Sequence, residues 1–124
     1  MSPKTIALIE DDKILSDTLY SGLTDVGLTV TRAFDGEEGL NLVVSTKPSL
    51  VLLDILMPKM DGLTVAKKLK ANPETKNIPI IILTVLNKTA TMAEAIEEDV
   101  YEYIIKSDYK VEDIVKIVQE KLAG

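Results

Sequence analysis

Strand-like and helix-like patterns alternate five times along this chain. Residues 6–9, Ile-Ala-Leu-Ile, form a continuous apolar run of strand length. Leu15, Leu19, Leu23 and Val26 then recur at helical spacing, and Gly27 stops that helix. Residues 28–33 alternate apolar and polar positions, the pattern of an edge strand with one solvated side. Asp35-Gly36 turns the chain, and Leu40, Val43 and Val44 mark a short helix that ends before Pro48. Residues 50–53 are continuously apolar, as expected of a central strand buried on both faces. A loop follows from Met57 to Gly62. Asp61 or Gly62 caps the next helix, which carries Val65, Ala66 and Leu69. Asn72-Pro73 and Pro79 bracket another loop, and residues 80–83 form the fourth strand. Residues 90–98 read as a helix with a thin apolar face of Met92, Ala93 and Ile96, and residues 103–105 as the fifth strand. Val111, Ile114, Val115, Val118 and Leu122 make a final amphipathic stripe, with Glu112 and Asp113 in its first turn.

The spacing between strands, roughly 20–30 residues, is what parallel strands joined by crossover helices require. Right-handed crossovers place helices on both faces of one sheet. The expected fold is therefore α/β, a doubly wound five-stranded parallel sheet of order 2-1-3-4-5, with the edge-like second strand outermost. Its switch point falls between strands one and three, where such sheets bind ligands at the strand C-termini. The chain reads as one domain over residues 1–124, without internal repeat or linker.

Polar residues stand where the apolar runs end. Glu10-Asp11-Asp12 follows the first strand, Asp54 the third, Thr84 the fourth and Lys106 the fifth. Three of these acids (Glu10, Asp11 and Asp54), a hydroxyl and an ammonium would converge on one edge of the sheet. Composition narrows what they can do. The chain has no cysteine and no histidine, which removes thiolate chemistry, the usual neutral-pH acid–base group and the commonest transition-metal ligand. A metal held here must be hard and oxygen-liganded, Mg2+ or Mn2+. The net charge of −6 argues against a nucleic-acid surface. No apolar run approaches the roughly 20 residues of a membrane span, and the first residues enter a strand without a secretory signal. The expected location is cytoplasmic.

Two carboxylates about 4 Å apart repel by about 4 kcal/mol at an effective dielectric of 20, and a divalent cation removes that cost. Mg2+ bound by one or two carboxylates keeps coordination positions for phosphate oxygens. Asp54 is then the candidate nucleophile for an aspartyl phosphate. Lys106 could pair with one phosphoryl oxygen and Thr84 hydrogen-bond another. No general base is needed, because an ionised Asp carries no proton to remove. Asp12 reads as the cap of the helix starting near Lys13 rather than as a ligand.

At these positions the chain resembles the response-regulator receiver family of two-component signalling. The resemblance rests on Leu8-Ile9-Glu10-Asp11-Asp12, on the run from Leu52 through Asp54 to Met57-Pro58-Lys59-Met60-Asp61-Gly62, on Ile81-Ile82-Leu83-Thr84 and on Tyr103-Ile104-Ile105-Lys106. It covers essentially the whole chain and implies a chemotaxis-regulator-like, flavodoxin-like (βα)5 fold. It implies that Asp54 accepts a phosphoryl group from a sensor histidine kinase or a histidine phosphotransfer protein. Glu10, Asp11, Asp54 and the Leu56 backbone carbonyl would hold Mg2+, and Thr84, Tyr103 and Lys106 would relay the change to an output domain or partner. Such a chain is a switch with Mg2+-assisted self-phosphorylation, not a turnover enzyme. It works as a monomer or a phosphorylation-dependent dimer, without direct contact to nucleic acid or membrane. No output domain follows Gly124, so the chain is a single-domain regulator or a piece of a longer protein.

Two departures from the family pattern bear on the switch. Ser107 stands where the family usually has a proline, and Val85 where it often has a small residue. A cis bond to a non-proline residue costs about 3 kcal/mol, so the Lys106–Ser107 bond is expected to be trans. A degenerate receiver is disfavoured by the intact Asp11, Asp54, Thr84 and Lys106. A haloacid-dehalogenase-type phosphatase needs an acid two residues past its nucleophile, where this chain has Leu56. A flavin-binding domain needs a hydroxyl- and amide-rich loop where this chain has Glu10-Asp11-Asp12.

Overall fold

The computed structural model describes residues 4–55, 57–84, 101–105 and 110–123. The helix expected over residues 90–98 lies outside these, as do Leu56, Val85, Leu86, Lys106 and Ser107. The described elements are β1 (Thr5–Ile9), α1 (Lys13–Asp25), β2 (Thr29–Ala33), α2 (Gly36–Thr46), β3 (Leu50–Asp54), α3 (Gly62–Ala71), β4 (Ile80–Thr84), β5 (Tyr101–Ile105) and α4 (Val111–Ala123). The five strands form one sheet of order β2-β1-β3-β4-β5, with every neighbouring pair parallel. This is the doubly wound α/β arrangement expected from the sequence, with β2 on the edge.

The sheet splits the core in two because successive strand residues point to opposite faces. Ala7, Ile9, Val51, Leu53, Ile80 and Ile82 face one way and pack with Val43 of α2 and with Val65, Ala66 and Leu69 of α3. Ile6, Leu8, Leu50, Leu52, Ile81 and Leu83 face the other way and pack with Leu19 and Leu23 of α1 and with Ile114, Val115 and Val118 of α4. All five residues of β3 are buried, which is why that strand reads as an unbroken apolar run before its terminal acid. Fully burying one such aliphatic side chain contributes about 1.5–3 kcal/mol.

Three helix starts are set by aspartates. Asp12 accepts the Leu15 N–H at 3.2 Å, Asp35 the Glu38 N–H at 2.8 Å and Asp61 the Thr64 N–H at 2.9 Å. At α2 the Glu38 carboxylate reaches back to the Phe34 N–H at 2.9 Å, close to a capping box. Asp35-Gly36 is therefore not only a turn: Asp35 is the N-cap and Gly36 the first residue of α2. Val26, counted with the α1 stripe on spacing, is 43% exposed, because it caps the C-terminus instead of continuing the apolar face.

On the outer edge Arg32 of β2 ties the strand to α1. Its guanidinium donates to Asp17 at 2.6 Å and lies over the Tyr20 ring at 4.5 Å and the Phe34 ring at 5.6 Å. Below β4, Lys70 of α3 donates to the carbonyls of Lys76 and Ile78, each at 3.0 Å, and fixes the loop leading into that strand. Desolvation, with the Lys121 cation adding to it, holds the Lys70 ammonium below the ordinary lysine value. Among the described residues no helix is long and apolar enough to cross a membrane.

Gly27, after α1, has φ +90°, and nothing lies within 4 Å of where a Cβ would stand. The cost of a side chain there is one of backbone conformation alone. Gly27→Ala should lower unfolding free energy by about 1 kcal/mol, read as a lower urea midpoint at unchanged slope. An unchanged midpoint would show that the left-handed turn tolerates alanine freely.

Candidate functional site

β1 and β3 are neighbours although a helix, a strand and a second helix separate them in sequence. Their register sets Ile9 opposite Leu53. The next residue of each strand path is an acid, so Glu10 and Asp54 stand side by side at the C-terminal edge. Glu10 is fully buried and Asp54 is 5% exposed. The Glu10 N–H continues the β1–β2 ladder by donating to the Ala33 carbonyl at 3.1 Å. Its carboxylate accepts the Asp12 N–H at 3.1 Å. Asp12 thus caps α1 with its side chain, as the sequence suggests, and orients Glu10 with its backbone, which no sequence pattern announces. One oxygen of the Asp54 carboxylate accepts the Ile55 N–H at 2.9 Å.

Asp11 completes the group from an exposed position. One carboxylate oxygen each from Glu10, Asp11 and Asp54 lie within 4.8 Å of one another. At that separation each pair of charges repels by about 3–4 kcal/mol at an effective dielectric of 20. Three hard oxygen donors, two of them on buried residues, suit a divalent cation. These residues could hold a metal ion, and its charge would offset the repulsion.

The loop after Asp54 leaves the sheet and returns at once. The Gly62 N–H donates to the Ile55 carbonyl at 2.8 Å, closing the loop at its base. A Cβ on Gly62 would strike the Asp54 carbonyl oxygen and stand 2.9 Å from the Ile55 Cα, so only glycine lets α3 begin this close to the site.

Thr84 ends β4 in register with Ile105, while Asp54 of β3 pairs with Leu83 of β4, so Thr84 lies on the same sheet edge. Tyr103 lies mid-strand in β5, opposite Ile82 and two positions short of that edge. The Leu56 carbonyl and Lys106, both expected at the site, fall outside the described residues.

Residues 6–119 match the response regulator receiver domain. The chain belongs to the response regulator receiver family. The receiver domain is 32% identical over 117 residues to the DNA-binding dual master transcriptional regulator RpaA of Synechocystis sp., covering 94% of this chain and 48% of that protein. It is 29% identical to a putative response regulator from Chloroflexus aurantiacus, with a TM-score of 0.87 over 99% of this chain and 100% of that one. It is 27% identical to the phosphorylated cyanobacterial phytochrome response regulator RcpA, with a TM-score of 0.82 over 96% of this chain and 91% of that one. The receiver domain spans about half the length of the curated relatives it matches.

The carboxylate cluster makes a stability prediction. Millimolar Mg2+ should raise the melting temperature of the receiver domain, because an ion bound only by the folded state adds RT ln(1 + [L]/Kd). Without Mg2+, Asp54→Asn should melt above wild type, with a gain on the order of 1 kcal/mol from removing one of three like charges. Differential scanning calorimetry with and without Mg2+ reads both effects. A lower melting temperature for metal-free Asp54→Asn would mean that repulsion does not dominate this edge.

Proposed function

We propose that this receiver domain is a phosphorylation switch whose acceptor is Asp54. The observation that supports it most is the placement of the Asp54 carboxylate, nearly buried beside Glu10 and Asp11 at the switch-point edge. The donor is a phosphohistidine on a sensor histidine kinase or a histidine phosphotransfer protein. An oxygen of Asp54 attacks phosphorus in line. The phosphorus–nitrogen bond breaks, and the leaving imidazole nitrogen keeps the electron pair and takes up a proton from solvent. Asp54 needs no base, because it reacts as the carboxylate.

Glu10, Asp11 and Asp54, together with the Leu56 carbonyl, are the groups that would hold Mg2+, with Mn2+ a workable substitute. When bound, the ion neutralises charge on the transferring phosphoryl group. Lys106 pairs with one phosphoryl oxygen and Thr84 donates its hydroxyl to another. Engagement of the Thr84 hydroxyl by the phosphoryl group, with Tyr103 following it, changes the surface that an output domain or partner reads. The domain catalyses its own phosphorylation in this limited sense and turns over no substrate. At a net charge of −6 it does not itself hold nucleic acid. It acts in the cytoplasm, as a monomer or as a dimer formed on phosphorylation.

Incubation with acetyl phosphate and Mg2+ should add one phosphoryl group to wild type and none to Asp54→Ala. Intact-mass spectrometry checks this, and equal labelling of the two proteins would remove Asp54 as the acceptor.

Loss of the phosphoryl group requires a water in line with phosphorus. Leu56 and Leu86, two residues beyond Asp54 and Thr84, are apolar and offer nothing to orient such a water. Self-dephosphorylation should therefore be slow, and Leu56→Asn or Leu86→Glu should speed it, because positioning is a large part of phosphoryl-transfer catalysis. The measurement is decay of the phosphorylated protein in Mg2+ buffer after donor removal. Wild-type decay as fast as both variants would show that these leucines do not govern access.

A further inference from the structure

The loop that follows Asp54 is shaped by a residue from another part of the chain. Gly36, the first residue of α2, lies directly against the backbone of Met60. A Cβ on Gly36 would strike the Met60 carbonyl oxygen and stand 2.7 Å from its carbon and 2.8 Å from the Met60 Cβ. Backbone cannot swing aside as a side-chain tip can. The backbone angle at Gly36 does not demand glycine, since Gly27 is the glycine with positive φ among the described residues. Alanine is also the better helix former. Close approach to Met60 is what keeps the position small.

The loop also needs a support. Lys59, beside Met60, has φ +69°, the left-handed conformation that non-glycine residues rarely adopt and keep only where their surroundings impose it. The base of the loop is fixed by the bond from the Gly62 N–H to the Ile55 carbonyl, and its far side rests on Gly36. Asp35 holds Gly36 in place by capping α2, and its second oxygen lies 3.7 Å from the Lys59 ammonium. That ion pair is exposed on the lysine side and contributes little by itself.

We infer that Gly36 is a positioning residue for the metal and phosphoryl site: the first turn of α2 is the seat that sets where the loop after Asp54 lies. The inference rests on the proposed metal-assisted phosphorylation, because it concerns the loop that carries the Leu56 carbonyl. Gly36 touches neither metal nor phosphoryl group and acts through Met60 and the loop backbone.

The test is Mn2+ affinity, measured by electron paramagnetic resonance of free Mn2+ in the absence of any phosphodonor. Gly36→Ala should bind at least about tenfold more weakly, the scale seen when groups supporting metal ligands are lost. Asp35→Ala, which frees the α2 cap, should bind several-fold more weakly, and Asp35→Asn, which keeps a capping oxygen, should recover to within about twofold of wild type. Val118→Ala, buried on the opposite face of the sheet, should lower the melting temperature and leave Mn2+ affinity within about twofold. The seat is overturned if Gly36→Ala binds as wild type does, or if Val118→Ala weakens binding as much. Should Gly36→Ala fail to fold, equal binding by Asp35→Ala and Asp35→Asn overturns it. Wild type that takes up no Mn2+ overturns the functional reading itself.

Discussion

Parallel pairing of β1 with β3 is the constraint from which the site follows. Parallel strands cannot be joined by a tight hairpin, so the chain must cross over before it can return beside β1. Here it travels through α1, β2 and α2 first, which sends β2 to one side of β1 and β3 to the other. The strands then end together, and the helices that leave them depart in opposite directions. The gap this opens is where Glu10 and Asp54 stand. Their proximity is electrostatically costly, and the fold sustains it through burial of the apolar residues immediately before each acid. Ile9 and Leu53 are fully buried and in register, so neither acid can withdraw without pulling a core residue out of its place.

Several local supports around the acids come from backbone. The Asp12 and Ile55 N–H groups donate to the Glu10 and Asp54 carboxylates. Gly62 admits α3 to the base of the loop, and Gly36 receives its far side. Backbone donors and backbone surfaces cannot change rotamer, so these supports have little freedom to move. That is what a site needs if its geometry is to be ready before a ligand arrives.

Much of this was legible in the chain. The sheet order followed from five apolar runs with crossover spacing between them, and the edge position of β2 from its alternation. The acids could be assigned to one edge because each directly follows an apolar run, and the structure brings Glu10, Asp11 and Asp54 together there. The supports were not legible, for a physical reason. Gly36 and Met60 are distant in sequence and meet through backbone surfaces, which leave no periodic pattern. Asp35-Gly36 has the composition of a turn, and only the bond to the Glu38 N–H shows it to be a helix start. Asp12 has two roles, and its sequence position displays only the capping one. Val26 has the right spacing for the α1 face, yet it lies past the point where the helix has already closed.

The division of the core into two faces has a mechanical meaning at the site. Along β1, Leu8 belongs to the layer of α1 and α4, and Ile9 to the layer of α2 and α3. Along β3, Leu52 and Leu53 divide in the same way. Within two residues of Glu10 or Asp54, therefore, the chain is anchored to helices on both sides of the sheet. The acids behave like the end of a lever clamped between two plates. A displacement at the acids is felt by both helical layers at once, and a shift in either layer reaches the acids through a single peptide unit or two.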